Sequence, residues 1–250
     1  MRNLGIAVLV ACVAASFAGA ADVPELVGRS SGGSTGVVPE AMAVLWDQPL
    51  SAVDDGAYAN QDFAATNDSY DIAIADDFTA PDPWDIDTIF VNGNSWNPGN
   101  DLTLATALNW YIFGDASGVP DGHPWGGTAP IWSLSLPPGD SQVTLSAGTG
   151  SFLTNVTLNL TTPISLPAGT YWLVFVPSME FATAGQYGRQ PSDTANGYVA
   201  MVINPAGGFG FPTTWTPVTD ASTWALTTFD FSFRLEGVVV PVELQSFSIE

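Results

Sequence analysis

Leu166-Pro167-Ala168-Gly169-Thr170-Tyr171-Trp172-Leu173-Val174-Phe175-Val176 is the stretch whose reading decides the fold. Its first five residues carry the Pro and Gly of a turn, and the six that follow are apolar without a break and rich in aromatic and β-branched types. That run has the length of a strand, and with apolar groups on both faces it must be covered on both sides.

Working outward, Trp224–Leu235 alternates: Thr227, Phe229, Phe231, Phe233 and Leu235 share one face, and Asp230, Ser232 and Arg234 the other. This is a strand with an aromatic core face. In Phe152–Leu160 the same period of two puts Phe152, Val156, Leu158 and Leu160 inward and Asn155, Thr157 and Asn159 outward. Further strands are expected at Ala43–Asp47, Asp71–Phe78, Ile86–Asn92, Leu102–Phe113, Ile131–Leu136, Tyr198–Ile203 and Val238–Leu244. Gly, Pro, Asn and Asp separate them, and no helical period is sustained anywhere. The expected fold is all-β, a two-sheet jelly-roll-like sandwich over residues 41–237 with a C-terminal strand or tail at 238–250.

The N-terminus has Arg2, an apolar run from Leu4 to Ala15, and Ala18-Gly19-Ala20 before Ala21. That is the layout of a secretory signal peptide over residues 1–20, and the run is too short to span a bilayer. Leu9-Val10-Ala11-Cys12 also matches a lipoprotein lipobox, but the apolar run continues past Cys12, which favours ordinary cleavage. Residues 21–40, with Ser30-Ser31-Gly32-Gly33-Ser34, read as a flexible leader. The expected location is secreted or cell-surface.

Cys12 is the single cysteine, so after cleavage disulfides, cysteine zinc sites and cysteine nucleophiles are excluded. About 230 residues remain, enough for a core that needs no staple. There is no Lys, and Arg2, Arg29, Arg189 and Arg234 alone oppose 25 acids, for a net charge of -21, with Arg2 inside the expected signal peptide. Nucleic acid and anionic membrane are therefore excluded as natural partners. Between Glu40 and Asp87 the chain concentrates acids, which must be solvated, screened or neutralised by cations.

Three segments carry a resemblance: Ala75-Asp76-Asp77-Phe78 followed by Trp84-Asp85-Ile86-Asp87-Thr88-Ile89; Ile112-Phe113-Gly114-Asp115 through Gly118-Val119-Pro120; and Pro167-Ala168-Gly169-Thr170-Tyr171-Trp172-Leu173. Together, from Trp46 to Glu236, they resemble exported bacterial β-sandwich proteins, many of which carry PEP-CTERM or type IX secretion sorting tails and have no assigned activity. Val240-Pro241-Val242-Glu243-Leu244-Gln245-Ser246-Phe247 is similar to the segment that leads into such tails. No transmembrane stretch or basic terminus follows it here, so anchoring by that route is not expected.

Two kinds of site are candidates. Calcium wants six to eight oxygens, and Asp54, Asp55, Asp76, Asp77, Asp82, Asp85 and Asp87 could contribute, although no EF-hand loop is present and Asp76 and Asp77 must point to opposite faces of a strand. A solvated acidic surface explains the same residues. Glycan binding would use Trp96 and Trp125, read as loop residues, to stack on sugar, with Asn94 and Asp121 bonding hydroxyls. A Trp folded back as a lid on the core is the competing reading. Trp46, Trp84, Trp110, Trp132, Trp172 and Trp224 belong to strands.

Catalysis has little to rest on: His123 is the only histidine and sits in a turn, no Gly-x-Ser-x-Gly elbow is present, and no pair of acids stands out for a glycosidase. The sequence thus points to a secreted or cell-surface, non-enzymatic binding or structural module, with calcium as a candidate stabiliser. A carbohydrate-binding module for extracellular polysaccharide is the alternative, and a hydrolase with an acidic pair the third. A surface-protein partner and edge-strand assembly through Val238–Leu244 remain open beside these.

Overall fold

The structure is a computed structural model that describes residues 42–53, 56–97, 99–148, 151–220 and 230–241. The expected all-β sandwich is found. One sheet has five strands in the spatial order Ala43–Gln48, Phe233–Val239, Trp84–Val91, Leu153–Leu166, Val143–Ala147. The other has Trp132–Leu136, Ala107–Gly114, Gly169–Met179, Ala73–Ala80, Met201–Ile203 and Thr216–Pro217, with Asp62–Phe63 added in parallel to the far end of Gly169–Met179. Neither sheet closes into a barrel.

The alternation of side chains along each strand explains the layers. Leu108, Trp110 and Ile112 of one sheet, with Leu173 and Phe175 beside them, meet Ile86, Val91, Val156, Leu158 and Leu235 of the other in the main core. Trp172, Val174 and Val176 point the opposite way and are covered with Phe113, Ala75 and Met201 in a second apolar layer, over which Trp125, Trp215 and Tyr111 lie half-buried. Every residue from Tyr171 to Pro177 is buried. The two-sided burial read from the unbroken apolar run is therefore what the fold provides, because the segments after Gly114 and before Thr216 fold back over the outer face of the sheet. A third cluster, with Phe63, Ile72, Ile74, Val202 and Phe231, underlies one end of the molecule.

Several expected boundaries move. The strand expected from Leu102 begins at Ala107, because Leu102–Leu104 forms a tight turn and Asp101 is drawn away to accept the Leu153 N–H at 2.6 Å. Tyr198–Ile203 shortens to Met201–Ile203, since the Tyr198 N–H goes to the Asp77 carboxylate rather than to a ladder. The strand from Leu153 runs on to Leu166 through a register shift after Asn159.

Near the C-terminus, two expected strands become one. Phe233–Val239 continues past Leu235 through Gly237, where a bulge brings the backbone so close to Asp85 that a Cβ would lie 2.0 Å from its carbonyl oxygen. Val238 and Val239 pair with Asp85 and Trp84 and so extend their own sheet. The rest of the expected Val238–Leu244 strand, the Trp224–Phe229 half of its predecessor, the signal segment and the leader all lie outside the described residues. Val143–Ala147 and a three-stranded sheet of Tyr58–Ala59, Gln186–Arg189 and Gly93–Trp96 were not anticipated.

Trp110 sits fully buried at the centre of the sandwich, its ring 5.1 Å from that of Phe175. Trp110→Ala should cost about 3–5 kcal/mol and lower the melting temperature by roughly 10 °C. A shift of less than about 3 °C in a thermal melt would contradict this placement of the core.

Candidate functional site

An aromatic-lined concavity lies where Gly169–Met179 leaves its sheet. Phe63 pairs with Met179, and Ala64 donates its N–H to the Met179 carbonyl at 3.2 Å. The chain then turns through Phe181–Ala184, a single helical turn whose first amides include Ala182, bonded to the Glu180 carboxylate at 3.4 Å. Gly185, at φ +77°, ends that turn; a Cβ there would lie 2.7 Å from the Trp96 carbonyl oxygen, so only glycine fits.

From the other side comes the short 3-10 segment Ala65–Tyr70. Its return is fixed by Asp71, which accepts the Phe63 N–H at 2.7 Å, and by Asn204, whose Nδ2 donates to the Asp71 carbonyl at 2.7 Å. Asn204 Oδ1 in turn accepts the Phe209 N–H at 3.0 Å and holds that ring over the cleft.

Phe63, Tyr70, Phe181 and Phe209 with the amides of Asn67 and Gln186 thereby line an open cavity of about 290 Å³. Phe63 is the floor, its ring 6.5 Å from Tyr70, 6.3 Å from Phe181 and 6.0 Å from Phe209. Tyr70 and Phe181 form the rim and stay 40% and 38% exposed, two rings side by side around one concavity. Gln186 is held by Asn97, whose Nδ2 donates to its Oε1 at 2.9 Å.

Of the residues expected to bind glycan, two lie beside this cleft. Trp96 is on a strand rather than in a loop, directly opposite Gln186, and Asn94 is opposite Gly188, so both share the face of Gln186. The Trp96 ring lies across Gly188, where a Cβ would meet it at 2.8 Å. The other two are elsewhere. Trp125 lies against the outer layer of the seven-stranded sheet and donates Nε1–H to Asp62 at 3.1 Å, while Asp121 closes the neighbouring loop by accepting the Gly114 N–H at 3.1 Å. His123 belongs to the same small hairpin; its Nδ1 accepts the Trp125 N–H, and burial lowers its proton affinity.

None of the four rings is a tryptophan, the aromatic type on which the sequence-based glycan expectation rests. The signal was present in Phe209, isolated within Gly207-Gly208-Phe209-Gly210, and in Tyr70 directly after the polar Asn67-Asp68-Ser69. An aromatic set among small or polar neighbours is what an exposed contact ring looks like.

Among the described residues the expected calcium ligands are not gathered into one place. Asp54 and Asp55 lie outside the described residues. Asp85 accepts the Ser165 hydroxyl and Asp87 points outward on the same strand. Asp82 is exposed. Asp76 and Asp77 are both fully buried and, as the strand period requires, face opposite sides. Among the described residues no group of three or more Asp, Glu, His or Cys side chains could hold a metal ion.

What surrounds Asp76 is instead a buried charge cluster. Its Oδ2 accepts Gln48 Nε2 at 3.2 Å and the Phe231 N–H at 2.5 Å, while Oδ1 has no hydrogen-bond partner. Asp230 accepts the Asn196 N–H at 2.7 Å, and Asp77 the Tyr198 N–H at 2.9 Å; each likewise has one oxygen without a partner. Arg189, fully buried, lies 5.5 and 5.7 Å from the ring centres of Phe231 and Phe233.

One guanidinium thus lies near two buried carboxylates, Asp76 and Asp230, while Asp77 on the opposite face of the strand has none. Burial, then repulsion from Asp230, pushes Asp76 well above the usual carboxylate range. Burial first, with Asp230 and Asp115 adding to it, raises Asp77 to about 7, and burial raises Asp230 to about 6. Desolvation lowers the proton affinity of Arg189, and its three acidic or phenolic neighbours, Asp76, Tyr187 and Asp230, raise it.

No protein-family model matches the chain, and no curated protein is significantly similar to it.

The raised carboxylates set the direction of the pH dependence. Their folded values exceed the unfolded value of 3.8, so their contribution is fully present below about pH 4 and is lost as pH rises through 6 to 7. The melting temperature should fall by roughly 5–10 °C between pH 4 and pH 8, and Asp77→Asn should flatten that profile. A wild-type profile that is flat or rises over this range would contradict the assignment.

Proposed function

We propose that the chain is an exported, non-enzymatic β-sandwich module that binds extracellular glycan in the cleft formed by Phe63, Tyr70, Phe181 and Phe209. The observation that carries this reading is the pair of rings, Tyr70 and Phe181, left exposed around a concavity that also contains two amides. Sugar rings present C–H faces that stack on aromatic rings and hydroxyls that bond to Asn and Gln, so the cleft supplies both halves of the interaction. Trp96 and Asn94 extend the same face for a second sugar unit.

Export is supported by the signal-peptide pattern of residues 1–20 and by a composition whose single cysteine falls within it. A lone half-buried His123 tied into its own hairpin offers no nucleophile and base in hydrogen-bond reach, which is why binding without turnover is preferred.

The test is retention of the chain from Ala21 onward on insoluble cellulose, chitin, chitosan and xylan. Wild type should be retained on at least one, and the double substitution Tyr70→Ala with Phe181→Ala should lower that retention at least tenfold while shifting the melting temperature by no more than a few degrees. Trp125→Ala should do the reverse: it removes a ring packed on the outer layer, so it should cost stability and leave retention intact. Absence of retention on all four materials, or loss through Trp125 instead, would sink the proposal.

A further inference from the structure

Gln186 is fixed in the wall of the cleft from several sides. The backbone around it is held by the fully buried Gln61, whose Nε2 donates to the Gly185 carbonyl at 3.3 Å and whose Oε1 accepts the Tyr187 N–H at 2.7 Å. Its strand pairs it with Trp96, and Asn97 Nδ2 occupies its Oε1 at 2.9 Å. Gln186 is only 9% exposed, it lines the cavity, and its Nε2 has no hydrogen-bond partner among the described residues. The fold therefore presents a nearly desolvated donor in a fixed place.

Asn67 supplies the opposite polarity. Its backbone N–H goes to the Ala64 carbonyl at 2.7 Å and its Nδ2 to the Thr66 hydroxyl at 3.4 Å, which leaves Oδ1 as a side-chain acceptor. The other lining residues are the rings of Phe63, Tyr70, Phe181 and Phe209, and no charged side chain is among them.

That combination is selective among sugars. A hydroxyl pressed onto Phe63 or Phe209 gives up water and finds no partner there, and an ammonium or carboxylate is desolvated with no opposite charge to meet it. A methyl group in the same place loses nothing. A secondary amide has a carbonyl that accepts and an N–H that donates, the complement of one amide donor and one amide acceptor.

Resting on the reading of the cleft as a glycan site, we infer that the sugars it selects are N-acetylated. The acetamido methyl lies against Phe63 and Phe209, its carbonyl accepts from Gln186 Nε2, and its N–H donates to Asn67 Oδ1. Tyr70 and Phe181 at the rim take the C–H face of the sugar ring.

The experiment is a calorimetric titration at pH 7 of the chain from Ala21 onward with three β-1,4-linked tetramers: N-acetylglucosamine, glucosamine and glucose. The N-acetylated tetramer should bind at least about ten times more tightly than either of the others. Because neutral groups make the contact, its affinity should change by less than about twofold between roughly 50 and 300 mM NaCl. Tyr70→Ala should lower that affinity by about tenfold or more. Gln186→Glu keeps the acceptor for Asn97 and removes the donor, and Asn67→Ala removes the acceptor from a side chain bonded only to Thr66 among the described residues. Each should cut the preference for the N-acetylated over the glucose tetramer by about fivefold or more.

Equal affinity for the N-acetylated and glucose tetramers, or a preference for glucose or glucosamine, would overturn the acetamido selection and leave the glycan reading standing. Binding of none of the three would overturn the inference, and with no retention on the four insoluble materials it would take the glycan reading with it. N-acetyl binding that survives Tyr70→Ala, or a preference that survives both Gln186→Glu and Asn67→Ala, would place recognition elsewhere and overturn the inference too.

Discussion

The two-sided burial of Gly169–Met179 is the constraint on which the rest depends. A strand with Leu173 and Phe175 facing one way and Trp172, Val174 and Val176 the other cannot lie at the surface of a simple sandwich. The five-stranded sheet covers one face, and an added layer carrying Trp125 and Trp215 covers the other. Held between them, the strand is fixed along its length, and its end at Met179 is a rigid point from which the next residues depart. Asp62–Phe63 pairs there, the Phe181 turn starts there, and the cleft is the consequence. A concavity built at the end of such a strand takes its geometry from the sheet.

Polar groups in the interior follow from the same layering. Ala73–Ala80 is buried on both sides too, so the adjacent Asp76 and Asp77 each lose water whichever way they point. Arg189 stands near Asp76 and Asp230 and cannot neutralise both, Asp77 has no cation beside it, and the remaining charge is removed by keeping protons. The fold is thereby coupled to pH through residues that have no part in the cleft. The cleft and the charged interior both border the small sheet, where Gln186 faces the cleft and Arg189, next but two in the chain, faces inward.

How much of this was legible in the sequence follows from the range of the forces involved. Unbroken and alternating apolar runs are local, and they correctly placed Tyr171–Val176, Val156 and Leu158 and the all-β class, while which strand pairs with which had no local mark. The end of a strand depends on partners far along the chain, which is why Asp101 pulling on Leu153 and Tyr198 bonding Asp77 moved boundaries that no local pattern marks. Arg189 looked like any charge; its burial depends on Phe231 and Phe233 arriving from more than forty residues away. The cleft was hidden for a similar reason. Phe63, Tyr70, Phe181 and Phe209 are spread over nearly 150 residues and are joined only by the parallel pairing at Met179 and by Asn204, while Trp125, which by local context matched Trp96, was drawn into the outer layer by Asp62.

The most direct measurement is a residue-by-residue map of ligand contact, made by recording amide NMR spectra of the chain from Ala21 onward as a retained oligosaccharide is added. The account predicts shifts concentrated in residues 63–71, 94–97, 180–186 and 207–210, with the hairpin around His123 and Trp125 unmoved. Shifts centred on that hairpin and the outer face of the seven-stranded sheet, with the cleft silent, would contradict it.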